Sequence, residues 1–189
     1  MGCEAPGAAR RPRWPLRFTL RREETTTAKI DFKRELVECY RAEHDTPQLV
    51  TVPDLQYLMI DGHGDPNAAA FAEATTTLYP VAYKLRAASK ASGRDYVVMP
   101  LEGLWWADAM ASFTDARDKT RWDWTLMIMV PEWITQDMFS AAIEQVNRND
   151  SGARLDGLRL ETLSEGLCVQ ALHVGSFDDE AALLERIRR

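Results

Sequence analysis

Residues 94–107, RDYVVMPLEGLWWA, and residues 121–130, RWDWTLMIMV, are two strongly apolar stretches whose reading decides the fold. Their length and their β-branched and aromatic content favour strands over helices, and two such strands close in sequence are expected to pair. The polar connection between them, about fifteen residues, is longer than an ordinary hairpin loop. Side chains alternate between faces along a strand, so adjacent Trp105 and Trp106 point to opposite sides and only one of them can line a given groove. In the second strand Met127 and Met129 share one face, and Trp122, Trp124, Leu126 and Ile128 share the other.

Working toward the N-terminus, Val50, Val52, Leu55, Tyr57, Leu58, Met59 and Ile60 form an extended pattern that leads into the turn DGHGDP at 61–66. Asp65 suits an N-cap and Pro66 a first helical position, which places a helix from there to about Ser92, ended by Gly93. Its buried stripe is Phe71, Ala74, Leu78, Ala82, Leu85 and Ala88; Pro80 predicts a kink or break near Tyr79. Before this, Phe32, Leu36, Val37 and Tyr40 have helical spacing, so 31–43 reads as a short amphipathic helix. Toward the C-terminus, Thr135 caps a helix through Arg148, Leu158, Leu160 and Thr162 alternate as a strand, and LCVQALHVG (167–175) is another. A last helix, DDEAALLERIRR, begins with acids and finishes with arginines, as the helix dipole favours.

The runs YLMIDGHGDPNAAAFAEA and QALHVGSFDDEAALLER both read as strand, Gly-containing turn, acidic cap and Ala-rich helix, which suggests an internal repeat. In the second copy no strands follow the helix, so Leu183, Leu184 and Ile187 are expected to expose apolar surface and invite homodimer formation.

The 189 residues suit one domain, here 30–189, and their 46% hydrophobic and 28% charged content is globular. Residues 1–22 hold six of the 23 basic residues (Arg10, Arg11, Arg13, Arg17, Arg21 and Arg22) and one of the 29 acidic ones, Glu4. The head, 1–29, reads as a disordered Arg-rich extension, and the remainder is more acidic than the net charge of −6 suggests. An acidic surface repels phosphate backbones, so nucleic acid is not an expected partner. No run approaches the roughly 20 apolar residues of a membrane span and no secretory signal is visible, so no membrane partner is expected either. Cys3, Cys39 and Cys168 are odd in number and far apart, which fits a reducing cytoplasm. No metal-ligand spacing, phosphate loop or dinucleotide fingerprint is present, so neither a metal nor a cofactor is expected; GHG at 62–64 is too short to count.

The segments VPDLQYLMIDGHGDPN (52–67), DYVVMPLEGLWWADAM (95–110), WDWTLMIMVPEWIT (122–135) and LRLETLSEGLCVQALHVGSFDDE (158–180) together resemble the stand-alone GyrI-like small-molecule-binding family. That resemblance implies an α+β fold of two pseudo-symmetric strand-helix-strand-strand modules. They form an antiparallel sheet with helices on one face and a groove for lipophilic, often cationic or aromatic, small molecules. It also implies a kinship with hydrolases that open the cyclopropane ring of DNA-alkylating compounds. Against that pattern the second module reads as truncated, and its ligand-facing Glu, the counterpart of Glu102, is not found. Phe177 stands where relatives often have Tyr.

Glu102 is the sharpest single candidate, because it sits in an otherwise uncharged run from Val97 to Ala107. A carboxylate there is exposed, hydrogen-bonded, or poised in a pocket with a raised pKa. By alternation it shares a face with Tyr96, Val98, Leu104 and Trp106, unless Pro100 and Gly103 introduce a bulge. It can act as counter-charge to a cationic ligand or as the base that polarises a water. Five of the six tryptophans fall between Trp105 and Trp133. Trp105, Trp106 and Trp124 are candidate binding faces for aromatic or cationic ligands, with core filling as the alternative. Met127 offers an adaptable thioether, or core filler. Tyr79 and Tyr83, one helical turn apart beside Pro80, are candidate catalytic proton donors, or buried rings with a hydrogen-bonded tip. His173 is a candidate groove residue or a satisfied structural histidine; His63 reads as a solvated turn residue.

Overall fold

The computed structural model of the chain describes residues 28–44, 46–108, 110–113, 118–149, 154–175 and 181–187. The Arg-rich head up to residue 27, and Phe177, lie outside the described residues. The fold is α+β with antiparallel sheets. Its elements are α1 (Phe32–Glu35), α2 (Val37–Tyr40), β1 (Gln48–Val52), β2 (Leu55–His63), α3 (Ala69–Ala91), β3 (Leu101–Trp106), β4 (Asp123–Met129), α4 (Gln136–Asn149), β5 (Leu158–Leu163), β6 (Gly166–Gln170) and α5 (Ala181–Ile187). The strands divide between a four-stranded sheet, order β3-β4-β2-β5, and a two-stranded ribbon of β1 and β6. Pro53, which has no N–H to give a ladder, ends β1 and lets the chain change sheets before β2 begins.

The two apolar stretches pair as expected, with Glu102 opposite Met127, Leu104 opposite Thr125 and Trp106 opposite Asp123. The first of them is shorter than its composition predicts. Residues 95–97 are fastened sideways: the Arg86 guanidinium grips Asp95 at 2.9 and 3.1 Å and donates to the Tyr96 carbonyl at 2.8 Å. Ile30 donates to the Asp95 carbonyl and accepts from Val97. Pro100 adds no donor, so the ladder starts at Leu101.

The helix after the turn also starts later than the Asp65-Pro66 pair predicts. Asp65 spends its side chain on the Asn67 N–H, at 2.9 Å, and its carbonyl on the Ala68 N–H, which builds a separate turn before Ala69. From there α3 runs unbroken through Pro80 to Ala91. Gly93, at φ +92°, then supplies the left-handed residue that ends it. Thr75, Thr76 and Thr77 each bond back to a carbonyl one turn earlier. Leu78, Val81, Ala82 and Leu85 bury the inner stripe of α3, which lies against β2 and β4 with α4 beside it. Thr135 caps α4 by accepting from the Met138 N–H at 3.3 Å.

The amphipathic segment near residue 31 is two four-residue helical turns, α1 and α2. Phe32, Leu36 and Tyr40 pack on the core; Val37 does not and is exposed. In α5, Leu183 is buried and Leu184 and Ile187 are half-buried, so the apolar surface expected there is largely covered. Exposed apolar side chains lie instead on and beyond the ribbon, at Leu49, Leu167, Val169, Leu172 and Val174. Among the described residues no helix is long and apolar enough to cross a membrane.

Candidate functional site

Directly paired residues of antiparallel strands share a face, so the registers sort the four-stranded sheet into two sides. One side carries Leu58, Ile60, Gly62, Trp124, Leu126, Ile128 and Trp105, and this is the side α3 covers. The other carries Tyr57, Met59, Asp61 and His63 of β2, Asp123, Thr125, Met127 and Met129 of β4, and Glu102, Leu104 and Trp106 of β3. The register runs without interruption from Leu101 to Trp106, so no bulge reverses the parity of Glu102.

Glu102 is half-buried, and both of its carboxylate oxygens accept from phenols. The Tyr40 hydroxyl donates to Oε1 at 2.7 Å and the Tyr57 hydroxyl to Oε2 at 3.4 Å. Tyr57 comes from the neighbouring sheet position on β2, diagonal to Glu102 across β4. Tyr40 comes from the last residue of α2, which rests on β1. Side-chain amides hold that helical turn to the ribbon: Gln48 donates to the Arg41 carbonyl at 3.3 Å and Gln170 to the Glu38 carbonyl at 2.7 Å.

Burial pushes the Glu102 carboxyl above the usual carboxylate range; the two tyrosine hydrogen bonds pull the other way, and the nearby charge of Glu165 adds to the rise. Burial, and then the charge of Glu102, push both phenols well above their ordinary value, so Tyr40 and Tyr57 keep their protons at neutral pH. The cluster is a desolvated acid bracketed by two weak proton donors. Such an acid is a competent general base, and a phenol beside it can supply a proton to a developing oxyanion.

The structure brings together only some of the residues expected to form a site. Glu102, Trp106 and Met127 share a face. Trp106 is 46% exposed, whereas Met127, the register partner of Glu102 on β4, is buried at 4%. Trp105 lies on the opposite face, stacked on Phe71 and edge-on to Trp122. Trp124 is also on that face, fully buried, with its indole N–H donating to the Gly64 carbonyl at 3.2 Å. Its ring occupies the space a Cβ at position 62 would need, which is why glycine stands there. Tyr79 and Tyr83 belong to α3, across the sheet from Glu102; their rings lie 6.4 Å from each other, and Tyr83 is exposed. The helix break or kink expected near Tyr79 is not a break: α3 continues through Pro80. His173 follows β6, half-buried beside Gly175. Tyr96 and Val98 precede β3 and so fall out of the alternation expected to align them with Glu102; Tyr96 is a core residue.

The phenols that do reach Glu102 carried a weak signal. Tyr40 and Tyr57 both occupy apolar positions in their elements, and each contact spans more than 40 residues of sequence. Among the described residues no three His, Cys, Asp or Glu side chains stand together as metal ligands would.

Three solved structures are similar to this chain over most of its length. An uncharacterized conserved protein from Listeria innocua is 32% identical, with 85% of this chain and 79% of that one covered and a TM-score of 0.77. A hydrolase from Listeria innocua is 31% identical, with 85% and 78% covered and a TM-score of 0.73. A further structure of a Listeria innocua hydrolase is 32% identical, with the same coverage of 85% and 78% and a TM-score of 0.75. No protein-family profile and no curated protein matches the sequence.

Proposed function

We propose that this chain, which belongs to the same protein family as those Listeria innocua proteins, is a GyrI-like hydrolase of electrophilic aromatic small molecules. The observation that carries this reading is the half-buried Glu102 carboxylate held between the hydroxyls of Tyr40 and Tyr57. Two of the similar structures are named hydrolases, which agrees with it. The substrate class is a strained cyclopropane conjugated to a carbonyl, as in DNA-alkylating compounds. Glu102 takes a proton from water as the water oxygen bonds to the ring carbon. The ring C–C bond breaks and its electron pair passes to the carbonyl oxygen. Once protonated, Glu102 no longer needs the phenol proton, so Tyr40 or Tyr57 can donate it to that oxygen, and Glu102 restores the tyrosine. One water is consumed; its hydroxyl ends on carbon and its proton on oxygen.

Turnover of a cyclopropane-bearing alkylator, followed as the mass of one added water, tests the reading. It is expected with the unaltered chain and lost in Glu102→Gln. A second reading, capture without turnover, is favoured by the exposed indole of Trp106 on the same face as the acid, which suits lipophilic or cationic ligands. Saturable quenching of tryptophan fluorescence with no product formed would replace hydrolysis by capture.

A further inference from the structure

The side of the sheet that carries Glu102 ends in a second polar group that the hydrolytic scheme does not use. His63, the last residue of β2, is paired with Asp123, the first of β4, and its Nδ1 lies 2.8 Å from Asp123 Oδ1. An imidazole that donates Nδ1–H to a carboxylate presents Nε2 as an acceptor when neutral. Trp106 is the register partner of Asp123 on the other flank, and both Trp106 and His63 are well exposed. On β3 the sequence Glu102, Leu104, Trp106 runs along one face, which places the two stations about 13 Å apart at a rise of about 3.3 Å per residue.

We propose that Trp106, His63 and Asp123 form a distal subsite that holds the far end of an elongated flat ligand through an aromatic contact and a cationic N–H donor such as an amidinium. This deepens the reading of Glu102 as the reacting end, and rests on it only for which end reacts. The indole face attracts the ring and its charge, His63 Nε2 accepts the donor hydrogen, and the Asp123 carboxylate behind it supplies the counter-charge. Leu104 spans the interval with an apolar side chain. Farther along this side the Arg159 guanidinium is occupied: it holds Asp61 at 2.9 and 3.0 Å and Glu161 at 2.7 Å.

The test compares diamidinophenylindole with uncharged phenylindole, by the ligands' own fluorescence, on the full chain and on His63→Ala, Asp123→Asn, Trp106→Ala and Glu102→Gln. His63→Ala and Asp123→Asn are each expected to weaken the diamidine about fivefold and leave phenylindole unchanged, as an exposed charge-assisted contact would. Trp106→Ala should weaken both ligands, and His63→Gln, which keeps an acceptor, should recover part of the loss. The His63 effect should persist in the Glu102→Gln background, so the subsite survives even if hydrolysis by Glu102 is disproved. Equal diamidine affinity in the unaltered chain, His63→Ala and Asp123→Asn would overturn the proposal. So would a parallel loss of both ligands in those two variants, since His63 would then be acting on the sheet and not on the ligand.

Discussion

Two carboxylates, Glu102 and Asp61, stand on the same side of the same sheet and are driven in opposite directions. Burial raises the proton affinity of both. Asp61 then meets the Thr125 hydroxyl at 2.6 Å and the two-pronged guanidinium of Arg159, which together hold its carboxyl below the usual range. Glu102 meets two neutral phenols and the negative charge of Glu165, and its carboxyl ends above that range. A cation fixes a carboxylate in one charge state; phenols leave it able to take a proton and give it back. Depth and partner together separate a structural acid from a chemical one. Glu102 is the more buried and has no cation beside it among the described residues, whereas the Asp61 side chain is 60% exposed and held by Arg159.

The comparison breaks most sharply on rate. Glu102→Gln should lower turnover of a cyclopropane-bearing substrate by about a hundred- to ten-thousand-fold, while Asp61→Asn leaves it within about twofold. Equal losses would mean that the two acids do the same job. Next in size is Tyr40→Phe, which removes the shorter of the two hydrogen bonds and should cost about tenfold in kcat/KM, the rate equivalent of about 1.4 kcal/mol. Tyr57→Phe, with the longer bond, should cost less than Tyr40→Phe, and the reverse order would reassign the donor.

Stability against pH sharpens the contrast further, because the signs differ. The folded chain binds the Glu102 proton more tightly than the unfolded chain. Between the ordinary glutamate range and the raised folded value, stability therefore falls as pH rises. Asp61 is the reverse: its contribution is present above the unfolded value and is lost as pH falls through the depressed folded one. Denaturant titrations at stepped pH should show the decline just above the ordinary glutamate range flattened in Glu102→Gln and the loss below the ordinary aspartate range flattened in Asp61→Asn. The smallest effect is the stability lost in Asp61→Asn at pH 7, within about 1 kcal/mol, since the Asp61 and Arg159 side chains are 60% and 37% exposed.

Much of this arrangement could be read from alternation alone. The period of two along RDYVVMPLEGLWWA separates Trp105 from Trp106 and aligns Glu102 with Leu104 and Trp106, and the strand keeps that parity. What alternation cannot carry is which partner arrives from elsewhere. Tyr40 and Tyr57 read as apolar positions because their rings pack on the core, Tyr57 buried and Tyr40 half-buried, and nothing local tells that both hydroxyls converge on one acid. His63 reads as a turn residue because its neighbours are glycines, yet β2 extends through it to reach Asp123. Tyr79 and Tyr83 are candidates by their one-turn spacing beside Pro80, where a kink or break of the helix is expected. Spacing along a helix does not tell which side of the sheet that helix covers. The helix absorbs the proline, with Leu78, Val81 and Ala82 packed on either side of it, and tertiary burial outweighs one lost backbone bond.

Pro53 has an effect well beyond the turn it makes. By sending β1 away from β2 it leaves Tyr40's helical turn resting on the ribbon and Tyr57 in the large sheet, so the acid's two proton donors come from elements of different sheets. The spacing between ribbon and sheet is thereby written into the acidity of a single side chain, and whatever wedges them apart strips Glu102 of one phenol while leaving it the other.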